Sequence, residues 1–184
     1  MLKLINFVLF QVGWFACVLG AAWGIPWAGT GIAMAIVAVH LLLAGEPLAE
    51  SKLLAIAAGI GLVFDSALAT FGWVSYPSGV LLAGTAPHWI LALWLLFATT
   101  LNVSLAWLKP KPLLCIVFGA FGGPLAYYGG ARLGALTLVE PVSALTALAI
   151  GWAVITPFLA FLAGRHNGYL HLTDRAVLSE VNHV

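Results

Sequence analysis

Residues 47–73 read PLAESKLLAIAAGIGLVFDSALATFGW. Proline opens the run, Glu50 and Lys52 lie in its first two turns, and from Leu53 to Trp73 the only formally charged residue is Asp65. A helix that crosses the hydrocarbon core of a bilayer needs about 20 mainly apolar residues. In hydrocarbon the backbone must satisfy its own hydrogen bonds, which leaves helix as the reading of such a run. The segment is therefore expected as a membrane span with a carboxylate inside it.

Five further runs of the same kind flank it. The expected spans cover about Leu4–Trp23, Pro26–Leu43, Pro47–Trp73, Pro87–Trp107, Pro112–Gly130 and Pro141–Ala163. Five of the six open with proline in or near the first turn, where its missing N–H costs nothing and its fixed φ suits a helix. Composition agrees. Hydrophobic residues make up 63% of the 184 and charged residues 7%, against about 45–50% and about 25% in ordinary soluble domains. So few charges cannot cover a soluble fold of this size. No segment alternates apolar and polar residues as a membrane barrel would. The fold class predicted is all-α, a polytopic bundle of six transmembrane helices. A soluble enzyme, a secreted disulfide scaffold and a nucleic-acid binder are excluded. Cys17 and Cys115 both lie in apolar runs and read as small buried hydrophobes.

Six crossings place Lys3, Lys52, Lys109, Lys111, Arg165 and Arg175 on one side and Arg132 on the other. Basic residues favour the cytoplasmic side, so both termini are expected there. Asn6, Gln11 and Trp14 interrupt the first run, which is expected as a permanent span rather than a cleaved leader. Trp23, Trp27, Trp73, Tyr76, Trp89, Tyr127 and Tyr128 gather near the outer face and read as an interfacial aromatic belt. His40 and His88, at span ends, read as interfacial. The domain organisation expected is a transmembrane unit over 1–163 and a short polar cytoplasmic tail over 164–184. In that tail Thr173 and Asp174 suggest a helix cap, and His166, His171 and His183 read as solvated.

Asp65 carries the functional expectation. An ionised carboxylate at mid-membrane costs about 2.5–3.5 kcal/mol on the most lenient scale, so something must offset it. Ala58, Gly61, Asp65, Ala69 and Gly72 fall at spacings of three and four, a small-residue stripe that predicts helix packing and an inward Asp65. Gln11 and Trp14 on span 1, and Trp94, Thr99, Asn102 and Ser104 on span 4, are the candidates to share a polar cluster with it. Such groups serve equally as hydrogen-bonding glue between helices or as a substrate or proton site. Arg132 is the candidate counter-charge. Gly122, Gly123 and Pro124 in span 5 and Pro157 in span 6 are candidate helix breaks of the sort that line transporter sites, and small-residue faces offer a route to a homo-oligomer. Asp65→Asn is expected to insert and melt almost normally and to lose activity. No metal-ligand spacing, phosphate loop or nucleophile elbow occurs, so neither metal nor cofactor is expected.

Glu46-Pro47 and Glu140-Pro141 stand 94 positions apart, which hints at two inverted halves. Over about Asn6 to Leu162 the chain also resembles a small bacterial inner-membrane family, domain of unknown function 2878. The resemblance rests on Asn6-Phe7 with Gln11 and Gly13-Trp14, on Asp65, on the string from Leu96-Phe97-Ala98-Thr99-Thr100 through Asn102, Ser104 and Trp107, and on Gly122-Gly123-Pro124 with Ala126-Tyr127. It implies a multi-pass protein of the bacterial cytoplasmic membrane and tilts the expectation toward lipid. The function expected is a buried polar site around Asp65 that handles a small solute, a proton or a lipid. The alternative is a membrane enzyme, or its accessory subunit, in fatty-acid or lipid modification. A polar cavity open to one side of the membrane would favour a solute. A lateral opening between helices would favour lipid.

Overall fold

A computed structural model describes residues 1–170. Six helices follow in order: α1 (Leu2–Ala22), α2 (Pro26–Leu43), α3 (Pro47–Thr70), α4 (His88–Leu101), α5 (Pro112–Arg132) and α6 (Pro141–Arg165). Five are long and apolar enough to cross a membrane. Proline occupies the first helical position of α2, α3, α5 and α6, and Pro87 caps α4. The architecture is the all-α polytopic membrane bundle the sequence predicts, with one addition. Two short strands, β1 (Val74–Ser75) and β2 (Thr137–Leu138), pair antiparallel and join the α3–α4 and α5–α6 connections.

Span 4 differs from expectation. Its α-helix stops at Leu101 and is followed by a turn and a short 3-10 turn at Ala106–Leu108. The cause is local. The hydroxyls of Thr99 and Thr100 donate back to Leu96 O and Phe97 O, and Asn6 Nδ2 takes Thr99 O. Val103 and Leu105 N–H then both turn to Thr100 O, which ends the regular ladder. Fourteen residues rise about 21 Å, short of a bilayer core of about 30 Å. α4 tolerates this because protein surrounds it: it packs on α1, α2, α3 and α6, and most of its residues are buried.

Around that central helix α1 pairs with α2 and α5 with α6. Both pairs are close. A Cβ on Gly29 would lie 2.3 Å from Ala16 O, and one on Gly119 would lie 2.1 Å from Trp152 O. At Gly29 and Gly119 the small-residue faces are occupied by the chain's own packing. Pro124 and Pro157 lie inside α5 and α6, yet each helix runs through its proline unbroken. Cys17 and Cys115 are buried and free.

The two ends of the bundle are tied by matching devices. At the end that carries Lys3, Lys52, Lys109 and Lys111, Gly168 O accepts the N–H groups of Gly45 and Glu46, which precede α3. At the opposite end Trp73 O accepts those of Val139 and Glu140, which precede α6. The chain beyond α3 thus holds the start of α6, and the chain beyond α6 holds the start of α3. This inverted correspondence stops there, because α1 packs on α2 whereas its counterpart α4 packs on α1, α2 and α3.

Only the first residues of the expected tail are described. Helix α6 continues to Arg165, and residues 166–170 fold back onto the basic end. Thr173, Asp174, His171 and His183 lie outside the described residues. Of the expected aromatic belt, Trp23, Trp27 and Tyr128 are exposed, but Tyr76, Trp89 and Tyr127 are buried. Trp89 Nε1 donates inward to Ser78 O.

Candidate functional site

The buried face of α3 runs through Glu50, Leu53, Leu54, Ala57, Gly61, Asp65 and Leu68. It brings both of its carboxylates inside, one near each end. Gly61 faces Trp94 of α4, and any Cβ there would strike the Trp94 ring. The stripe expected from sequence therefore packs as proposed through Gly61 and Asp65. Gly72 does not belong to it: it is exposed beyond the helix end at φ +70°, a turn conformation that suits glycine.

Asp65 is fully buried and accepts three hydrogen bonds. Tyr76 and Tyr127 hydroxyls donate to Oδ1 at 2.7 and 2.5 Å, and Trp94 Nε1 donates to Oδ2 at 2.7 Å. Indole is a donor only, and an ionised carboxylate is an acceptor only, so both oxygens meet matching partners. The donors come from the β1–α4 loop, α4 and α5, and Asp65 thereby ties α3 to all three. Arg132 is exposed at the end of α5 and forms no ion pair with Asp65. Tyrosine hydroxyls supply what a counter-charge was expected to supply. The sequence reading gave Tyr76 and Tyr127 no part in the polar cluster; the available signal was that a carboxylate displaced toward the outer face needs donors from that side.

Trp94 and Tyr127 present their other sides to a cavity of about 400 Å³ enclosed by α1, α4, α5 and α6. Asp65 stands behind this wall and does not line it. Trp94 stacks on Trp152 at a centroid distance of 4.6 Å, and Phe97 meets Trp152 edge-on. Gln11, Trp14, Ser104 and Gly122 also line the space, and among the described residues no charged one does. The rim carries Phe7, Phe118 and Leu125, which are 49%, 41% and 66% exposed on the flanks of α1 and α5. The cavity therefore reaches the side of the bundle between those helices. Toward the outer end Trp14 crosses the gap, close enough that a Cβ on Gly129 would be 3.6 Å from its ring.

A family model described as Protein of unknown function (DUF2878) matches residues 3–158. The chain belongs to this family. No curated protein and no solved structure matches it. The matched segment holds Asp65, its three donors and every residue that lines the cavity, so the DUF2878 portion of the chain contains the whole of this site.

The other polar candidates separate from it. Thr99 lies off the cavity, its carbonyl bonded to Asn6. Ser104 donates to Asn6 Oδ1 at 2.6 Å, which locks α1 to the end of span 4. Asn102 joins a second knot at the basic end, centred on Glu50. Glu50 is fully buried, and Oε1 accepts Asn102 Nδ2 at 2.6 Å and Gly168 N–H at 2.9 Å. His40 Nε2 lies 2.9 Å from Oε2. Asn102 also donates to His166 O, and Lys109 Nζ donates to Asn102 Oδ1 at 2.7 Å. Tyr169 donates to His40 O at 2.6 Å. Burial lowers the Lys109 pKa from 10.5, and the charge of Glu50 opposes that shift. Burial, joined by the same charge, raises the Tyr169 hydroxyl. His40, expected at the interface, is thus internal, and so is Glu50. The signal for Glu50 was its place on the face of Gly61 and Asp65. Part of this knot, residues 166–170, falls beyond the DUF2878 match.

Proposed function

We propose that this protein binds a lipid-derived molecule that reaches the cavity sideways from the bilayer, between α1 and α5. The observation that carries the reading is the position of the cavity rim: Phe7, Phe118 and Leu125 stand on flanks that hydrocarbon would cover. A cavity of about 400 Å³ falls within the range of about 300–1,000 Å³ of small-molecule sites. Its aromatic walls suit an apolar body. A solute path would need polar lining along a route to water, and here the one membrane-embedded carboxylate of the site faces away from the space. Asp65 serves in this reading as a positioning residue, which holds Trp94 and Tyr127 in the wall. The six-to-one distribution of basic residues supports cytoplasmic termini, and the setting is the cytoplasmic membrane of a bacterium.

Gly122 offers a clean test. A Cβ there meets only Phe118 at 3.9 Å, so a side chain at this position projects into open space. Gly122→Phe is expected to fold and to fill the cavity. Full-length wild type and variant, purified alike, are compared by mass spectrometry of their retained lipids. A lipid class enriched over the surrounding bilayer in the wild type and missing from Gly122→Phe supports the reading. Identical retained lipids in both overturn it.

A further inference from the structure

Four of the residues that line the cavity carry a polar group with no partner within the described residues: Gln11, Trp14, Trp152 and Thr156. The Gln11 amide makes no hydrogen bond, and neither does the Trp14 indole N–H; both residues are half-buried and line the space. They stand three apart on α1, which places them on one face. Gln11 is nine residues into α1, about 14 Å from its start, and so near the middle of a core about 30 Å thick. Amides and indoles in hydrocarbon ordinarily find an interhelical partner, as Trp89, Trp94 and Asn102 do here. The open pair on α1 lies at mid-depth, in a space to which no described residue brings a charge, and together with the unpartnered Trp152 indole and Thr156 hydroxyl of α6 it is matched by the chemistry of a ligand.

We infer that Gln11 and Trp14 form the recognition point for an uncharged, lipid-derived ligand that carries a carbonyl-type acceptor oxygen on an apolar body. This deepens the lipid-binding reading and rests on it. The indole can only donate, so the ligand must offer an acceptor; the Gln11 amide supplies a second donor or accepts from a hydroxyl. A phosphate or ammonium group does not fit, because the lining contains no counter-charge and a charge at this depth is strongly disfavoured. A membrane phospholipid held by its headgroup is excluded for a second reason. Headgroups lie at the interface, whereas the open pair lies near the midplane. The acceptor therefore belongs to a molecule free to sink its polar group into the bilayer, such as a long-chain ester, ketone or aldehyde.

The test uses the full chain in phosphatidylcholine nanodiscs and tritiated methyl palmitate, read by scintillation proximity with empty nanodiscs as background. Competitors are unlabelled methyl palmitate, hexadecane and hexadecyl phosphate. The ester is expected to compete at about tenfold lower membrane concentration than hexadecane, the size of one net hydrogen bond, and hexadecyl phosphate is expected to be weakest. Gln11→Leu should abolish the preference for ester over hexadecane and retain hexadecane binding, which also reports a folded cavity. Trp14→Phe keeps most of the aromatic bulk, loses the donor and should reduce the same preference. Equal competition by hexadecane, strongest competition by the phosphate, or an ester preference unchanged in both variants overturns the inference while lipid binding stands. Absence of saturable binding by every probe overturns both.

Discussion

Replacing Asp65 tests the energetic logic of the bundle. Its carboxylate accepts from Tyr76, Trp94 and Tyr127, all at 2.5–2.7 Å and fully enclosed. Asp65→Ala leaves three donors facing a void. Each buried donor without a partner costs about 1–3 kcal/mol, and because the three share one acceptor their losses do not add in full. A destabilisation of about 3–5 kcal/mol is expected, less than three full losses. For a chain of this size that lowers the melting temperature by roughly 10 °C. Asp65→Asn keeps the shape but brings an N–H₂ among donors. Its oxygen serves Trp94 or the tyrosines but not all three, so about 1–3 kcal/mol is lost. The sequence alone suggested near-normal melting for Asp65→Asn; the three donors replace that expectation with a graded loss. Tyr76→Phe leaves the carboxylate two donors and should fall between Asp65→Asn and the wild type. Unfolding is followed with a thiol-reactive fluorogenic dye, since Cys17 and Cys115 are buried and become reactive only when the bundle opens. If Asp65→Ala melts within about 2 °C of the wild type, Asp65 does not hold the bundle together and the argument from donor count is wrong.

Two neighbouring glycines of α5 should behave oppositely. Gly119→Ala drives a Cβ into the Trp152 carbonyl and is expected to separate α5 from α6, with a clear loss of melting temperature, whereas Gly122→Ala meets open space and should melt like the wild type. Glu50→Ala removes the acceptor of Asn102 and Gly168, so residues 166–170 should detach from the basic end; limited proteolysis should cut after Arg165 faster than in the wild type. The lowered pKa of Lys109 carries a sign that pH can check. In the window between its folded value and 10.5 the unfolded chain holds more protons than the folded one, so this residue's contribution to stability rises with pH. The melting temperature of the wild type relative to Lys109→Met should therefore increase as pH approaches 10.5. A difference that is flat or falls overturns the reading that partial burial lowers the Lys109 pKa.

What the sequence alone determined was the class of solvent and the boundaries that follow from it. A chain this apolar must place helices in hydrocarbon, and proline marks where they begin; Pro26–Leu43 was legible to the residue. Inward placement of Asp65 was legible too, because period and residue size are local properties of one helix. The partners were not. Whether Tyr76 anchors at an interface or donates to a carboxylate depends on how the β1–α4 loop returns over α3. Whether Glu50 is solvated depends on chain more than a hundred residues later. Gln11, Thr99, Asp65 and Asn102, expected as one cluster, belong to separate places because α4 ends early and carries Asn102 to the basic end. The cavity likewise exists only through assembly, since α1 and α5 lean on different neighbours and leave the space between them open. Secondary structure in a membrane follows from the need to satisfy each backbone group within its own segment. Side-chain polar groups carry no such local requirement, so packing between distant helices decided which of them are satisfied and which remain open for a ligand.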